Sequence, residues 1–165
     1  MAVYFLLFIC GFAPAHAQTN PANSNSIRKE KAPMNHVSGA FDVKLAPQEA
    51  YNKADTTLGR MSIDKQFHGA LEATSKGEML SASTSVKGSA GYVAIERVTG
   101  TLNGKNGSFV LQHYATMTRG APQLTITVVP DSGTGELEGL SGKMNIRIEN
   151  GKHFYDFEYA LGEGR

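Results

Sequence analysis

The stretch GYVAIERVTGTLNGKNGSFVLQHYATM, residues 91–117, decides how the chain folds. Val93 and Ile95 share one parity beside Tyr92, Ala94 and Val98, and beyond the glycines Phe109, Leu111 and Met117 share another. Alternation over runs this short marks half-buried strands. Between them lie Asn103-Gly104 and Asn106-Gly107. Asn-Gly accepts the positive φ that a type I′ hairpin turn needs at both central positions. The stretch is therefore a β-hairpin, and its polar exceptions are Glu96, Arg97 and His113. A two-residue turn anywhere between Asn103 and Gly107 puts Glu96 and His113 on one face. A three- or five-residue loop centred on Lys105 puts Arg97 there instead, because a one-residue slip exchanges faces. A Gly104-Lys105 turn sets Leu111 opposite Val98 and His113 opposite Glu96; it matches apolar to apolar best and is the expected register.

The same period of two continues on both sides of this hairpin. Phe41, Val43 and Leu45 alternate with Asp42 and Lys44, and Met61, Ile63 and Phe67 share a parity. So do Leu124, Ile126 and Val128, then Met144, Ile146 and Ile148, then Tyr155, Phe157 and Tyr159. Breakers such as Lys76-Gly77, Lys87-Gly88, Ser132-Gly133 and Asn150-Gly151 separate the runs. Only residues 47–58 suit a helix, and they suit a loop equally. Short strands in such series imply an antiparallel sandwich or an up-and-down barrel. Consecutive hairpins need no long crossover, and closure removes the exposed edges. The expected fold is all-β: a single closed antiparallel up-and-down barrel of about eight strands over residues 35–162, with no repeat and no second domain.

Residues 3–12 form an apolar run, too short for a bilayer-spanning helix. Ala15-His16-Ala17 follows, the small-x-small pattern that precedes signal cleavage. The expectation is a signal peptide cut after Ala17 and a secreted or periplasmic product; a cytoplasmic protein follows if the run is a buried strand instead. Residues 18–34 read as a disordered polar lead. Cleavage removes Cys10, the only cysteine, and with it any thiolate or disulfide chemistry. The 16 basic and 15 acidic side chains all lie beyond Ala17, so the net charge stays at +1. The basic residues are scattered, which argues against a nucleic-acid partner. No stable membrane span is expected after cleavage, and oligomeric state is not readable.

Several polar residues interrupt the apolar parities. If Glu96 and His113 are neighbours inside a barrel, the carboxylate fixes the imidazole tautomer, and the pair can orient a bound carbonyl or move a proton. On the outer face they are only a weak cross-strand ion pair. Lys65 has the parity of Ile63 and Phe67 and needs a partner if buried; Glu72 is the nearest candidate. Tyr155 and Tyr159 flank Phe157 in an aromatic stripe that is either core or, with Tyr92, flat walls of a pocket. His68 and His153 are far apart in sequence with no acidic triplet nearby, so no metal site is expected. Residues 130–142, PDSGTGELEGLSG, lack the Gly-Lys-Ser/Thr ending of a phosphate loop and read as a glycine-rich β turn. Ser132 has no nucleophile elbow around it.

The strings KGEMLSASTSVKGSAGYVAIERVTGTLNGKNGSFVLQHYATM and LTITVVPDSGTGELEGLSGKMNI, with GKHFYDFEY near the end, resemble the bacterial family called domain of unknown function 3224. The likeness covers residues 39–161. It implies a closed antiparallel barrel related to that of allene oxide cyclase; it implies no reaction and transfers no catalytic residue.

The expected function is that of an exported small β-barrel binding a small apolar molecule in its interior, without cofactor. Glu96 and His113 are its polar orienting pair, Tyr92, Tyr155 and Tyr159 its walls, and Lys65 and Glu72 a second polar pair. One rival is a metal-free isomerase or cyclase using the Glu/His pair. Another is a structural or interaction barrel with a solid core.

Overall fold

The computed structural model describes residues 32–52, 54–55 and 57–162. The expected signal peptide, and residues 18–31 of the expected polar lead, lie outside these. Among the described residues nine strands follow one another: β1 (Asn35–Gln48), β2 (Leu58–Phe67), β3 (Leu71–Ser83), β4 (Ala90–Leu102), β5 (Lys105–Thr118), β6 (Ala121–Val128), β7 (Thr134–Gly135), β8 (Leu140–Glu149) and β9 (Lys152–Leu161). Each of β1 to β5 pairs antiparallel with the next strand, β6 pairs with β8, β8 with β9, and β9 returns to β1. Eight strands thus close an up-and-down barrel. The ninth, β7, is a two-residue strand on the free stretch of β5 at Gly107 and Ser108.

Three of the hairpins turn on two residues with positive φ. These are Asn103-Gly104 (49° and 78°), Arg119-Gly120 (49° and 90°) and Asn150-Gly151 (51° and 76°). That is the type I′ signature, whose twist matches the flanking strands. The central hairpin therefore turns one residue earlier than expected, with Leu102 opposite Lys105. A Gly104-Lys105 turn would hold Lys105 at positive φ, whereas Asn103 tolerates that region well. None of the described residues between 47 and 58 is helical. Pro47 and Gln48 finish β1, Leu58 begins β2, and side chains turn the described residues around Asn52 and Asp55. Asn52 Oδ1 accepts the Ala54 N–H at 3.3 Å, and Asp55 Oδ1 accepts the Thr57 N–H at 2.9 Å. Such Asx turns compete with helix.

Lys76-Gly77 is not a break, because β3 runs through it. Gly77 lies opposite Glu96, and a Cβ there would stand 2.3 Å from the Ile95 carbonyl oxygen and 2.5 Å from Glu96 Cβ. The glycine serves a close strand approach at the heart of the barrel. Gly77→Ala is expected to lower stability by about 1–3 kcal/mol, the usual range for overpacking. An unchanged urea midpoint would show that the wall yields there at no cost.

Inward-facing residues divide the barrel into two halves. At the end holding the starts of β1, β3 and β5, Phe67, Leu71, Leu102, Phe109, Tyr155 and Phe157 are 0–1% exposed. Leu137 and Leu140, from the segment after β7, plug that end. Full burial of each such side chain is worth roughly 1.5–3 kcal/mol. The opposite end is not filled. Between β6 and β8 only Ile126↔Met144 and Thr127↔Lys143 pair, so the wall is unzipped there towards the open end. On the outer wall, the register row of Leu80, Val93 and Tyr114 is uncovered, as is Ile95.

Candidate functional site

Lys65, Ser75, Glu96 and His113 occupy inward positions on the successive strands β2 to β5. The ladders set Lys65 opposite Ser75, Gly77 opposite Glu96 and Ala94 opposite His113. Glu96 is wholly buried at the centre. Its Oε1 accepts from Lys65 Nζ at 2.7 Å and from His113 Nε2 at 2.9 Å, and its Oε2 accepts the Ser75 hydroxyl at 2.7 Å. Lys65 Nζ also faces the Phe41 and Phe67 rings, 5.3 and 5.8 Å from their centroids. Burial alone would push the Glu96 carboxyl up. The hydrogen bond from His113, then the charge of Lys65, outweigh burial and hold it down at about 2. Glu96 is therefore a fixed anion in the middle of an apolar barrel.

Glu96 and His113 share the inner face, diagonal to each other instead of directly opposite; both side chains are long enough to meet across a diagonal. Arg97 points outward and reaches the Ser108 hydroxyl at 3.3 Å. The expected pairing of Lys65 with Glu72 does not occur. In the β2–β3 ladder Lys65 meets odd-numbered residues, so Glu72 faces out, 58% exposed, with Gln66 and His68 beside it. Tyr92 belongs to the open half. Tyr155 and Tyr159 belong to the solid half and are not pocket walls, because their phenols are already committed. The Tyr155 hydroxyl donates to the His68 carbonyl and accepts the Leu71 N–H, both at 3.1 Å. The Tyr159 hydroxyl accepts from Asn103 Nδ2 at 2.7 Å, and its ring stacks on Phe157. His68 pairs with Asp42 outside, and His153 packs on Phe41. Ser132 Oγ accepts the Val110 N–H at 3.0 Å, and the loop around it forms β7. Sequence reading missed Ser75, whose only signal was a hydroxyl on the parity of Leu71 and Ala73.

Above the cluster the barrel opens into a cavity of about 540 Å³, lined in part by Met79, Tyr92, Ala115, Met117, Leu124 and Ile148. His113 lies one inward step below Ala115 on β5, and Tyr92, opposite Ala115, is diagonal to it. Burial pushes the Tyr92 phenol up, and the Glu96 charge adds to that, so Tyr92 keeps its proton at neutral pH. The cavity is thus walled mostly by apolar side chains with a few polar groups, Tyr92 among them, the usual make-up of a small-molecule site.

The chain matches the profile of a family described as "Protein of unknown function (DUF3224)" over residues 37–159. A solved structure, described as a protein with unknown function from the DUF3224 family of Shewanella oneidensis MR-1, is 58% identical to it. The TM-score is 0.74, and the match covers 78% of this chain and 98% of that one. No curated protein matches.

Proposed function

We propose that this chain, which belongs to the DUF3224 family, is an exported barrel that holds a small, mostly apolar molecule in the open half of its interior. One observation carries the reading. Leu45, Met117, Leu124 and Ile148 have the lumen-facing parity yet are 39–66% exposed, whereas residues of that parity in the other half are buried. Uncovered apolar side chains that face one another around a cavity, on a barrel otherwise packed to the limit, are a surface awaiting a ligand. Export is supported by the short apolar run at residues 3–12 and the Ala15-His16-Ala17 pattern.

The neutral fluorophore N-phenyl-1-naphthylamine tests the cavity. It is expected to brighten saturably with one site per chain, and Ala115→Trp, which fills the floor, to abolish the signal while the urea midpoint holds. Linear, unsaturable fluorescence with the native chain would refute the reading.

Catalysis by proton shift is a second reading, favoured by the burial of His113 beside Glu96, one inward step from Ala115 of the cavity wall. Glu96, held at about 2, is too acidic to act as a base near neutrality. In that reading His113 is the base and Glu96 orients it.

A further inference from the structure

We infer that the molecule held in the barrel is uncharged and carries an oxygen that accepts a hydrogen bond from the Tyr92 O–H. The inference rests on the interior-binding reading above and narrows it to a ligand class: a neutral, oxygen-bearing apolar molecule such as a ketone or an ester.

Side-chain size makes the cavity, and one phenol stands in it. Gly59, Ser81, Tyr92, Ala115 and Leu124 form a single register row across β2 to β6, and all five line the cavity. One step deeper the row is Met61, Met79, Ala94, His113 and Ile126, built mostly of large side chains. In the cavity row the residues directly opposite Tyr92 are Ser81 on one side and Ala115 on the other, with Gly59 beyond Ser81. These small neighbours leave the space that the phenol faces. A Cβ at Gly59 would stand 2.7 Å from Ser81 Oγ, so the serine hydroxyl leans over β2, away from Tyr92. Tyr92 is therefore the group placed to meet a ligand at this level.

Every solvent-excluded side-chain nitrogen or oxygen among the described residues has a partner. The Tyr92 hydroxyl, which bonds to none of the described residues, therefore opens onto accessible space. Burial and the charge of Glu96 both keep its proton on, so it donates at neutral pH. An apolar molecule that covers this hydroxyl takes it out of water. A hydrocarbon leaves its proton unpaired, whereas a carbonyl or ester oxygen accepts it, and that difference is the main source of discrimination in buried polar sites. None of the residues lining the cavity is Asp, Glu, Lys, Arg or His. An ionised head group at the depth of the phenol would lose its water without meeting a counter-charge. The nearby anion does not help a cation, because Glu96 already accepts from Lys65, His113 and Ser75.

The test uses the intact chain at neutral pH. N-phenyl-1-naphthylamine is bound first and then displaced by propiophenone or by n-propylbenzene, which differ only in a carbonyl against a methylene. Tyr92→Phe breaks no hydrogen bond among the described residues. It is expected to raise the half-displacing concentration of propiophenone about tenfold relative to that of n-propylbenzene. Taking the ratio cancels any change in the fluorophore's own affinity. With the native chain, the ionised analogues 3-phenylpropanoate and 3-phenylpropylammonium are expected to need concentrations at least about tenfold above that of propiophenone. A ratio left unchanged by Tyr92→Phe would overturn the contact with the phenol while leaving interior binding intact. Either ion displacing the fluorophore as well as propiophenone does would overturn the neutral class. Failure of the fluorophore itself to bind would sink the interior-binding reading, and this one with it.

Discussion

Glu96→Gln alone is expected to lower the unfolding free energy by about 3–5 kcal/mol, and adding Lys65→Met to it should recover most of that loss. The sign of the second step is the informative part. Gln keeps one oxygen to accept from His113 and Lys65, and its NH2 can donate to the Ser75 hydroxyl, so the single change removes charge with little loss of hydrogen bonding. What remains is an ammonium in a side chain 6% exposed, between two phenylalanine rings, with no anion beside it. Such a charge must lose its proton, draw in water or open the barrel, and each route costs stability. Replacing Lys65 by Met fills the same space with an apolar side chain. Urea unfolding of the two variants and the native chain measures the cycle. A single change no worse than the double would mean that Lys65 reaches water, and the cluster would then not be sealed inside the barrel.

The fold was legible because it depends on period and turns, both of which are local. Val93, Ile95, Phe109 and Leu111 alternate, Asn103-Gly104 has the conformational freedom for a tight hairpin, and β-barrel closure follows from hairpins in series. The inward face of Lys65 was also readable from its parity with Ile63 and Phe67. Its partner was not. Strand register decides who meets whom, and Lys65 reaches Glu96 two strands away, across β3. Nearness in sequence favours Glu72, which the short connection between β2 and β3 turns outward. Gly77 shows the same limit. A glycine after a lysine looks like punctuation, and only the approach of Ile95 and Glu96 shows that it makes room for the cluster. The aromatic stripe of β9 failed as a pocket for a related reason. Periodicity places Tyr155 and Tyr159 inside, but it does not reveal which end of the barrel is plugged by Leu137 and Leu140. Depth along the barrel axis is set by the pairing of all eight strands, so no single segment carries it.

The same buried anion makes stability depend on acidity in a defined window. The folded-state value of Glu96 lies at about 2, against 4.5 for an ordinary glutamate. A depressed carboxyl contributes stability that is fully present above the unfolded value and is lost as pH falls through the folded one. The difference corresponds to about 3 kcal/mol for a group that water does not reach. It should therefore be intact above about pH 5 and largely gone near pH 2. Other carboxylates also titrate there, notably Asp55, which the Thr57 hydroxyl and N–H hold low at the surface. The native chain alone cannot separate these from Glu96, but Glu96→Gln can, because its glutamine stands for the protonated acid at every pH. The stability gap between the two proteins is expected to narrow by about 3 kcal/mol between pH 5 and pH 2, with the native chain approaching the variant from above. Urea unfolding at a series of pH values reads the gap directly. A gap that stays constant across the window would mean that Glu96 is protonated in both states throughout or exposed in both. Either result would remove the fixed anion that holds His113 in place inside the barrel.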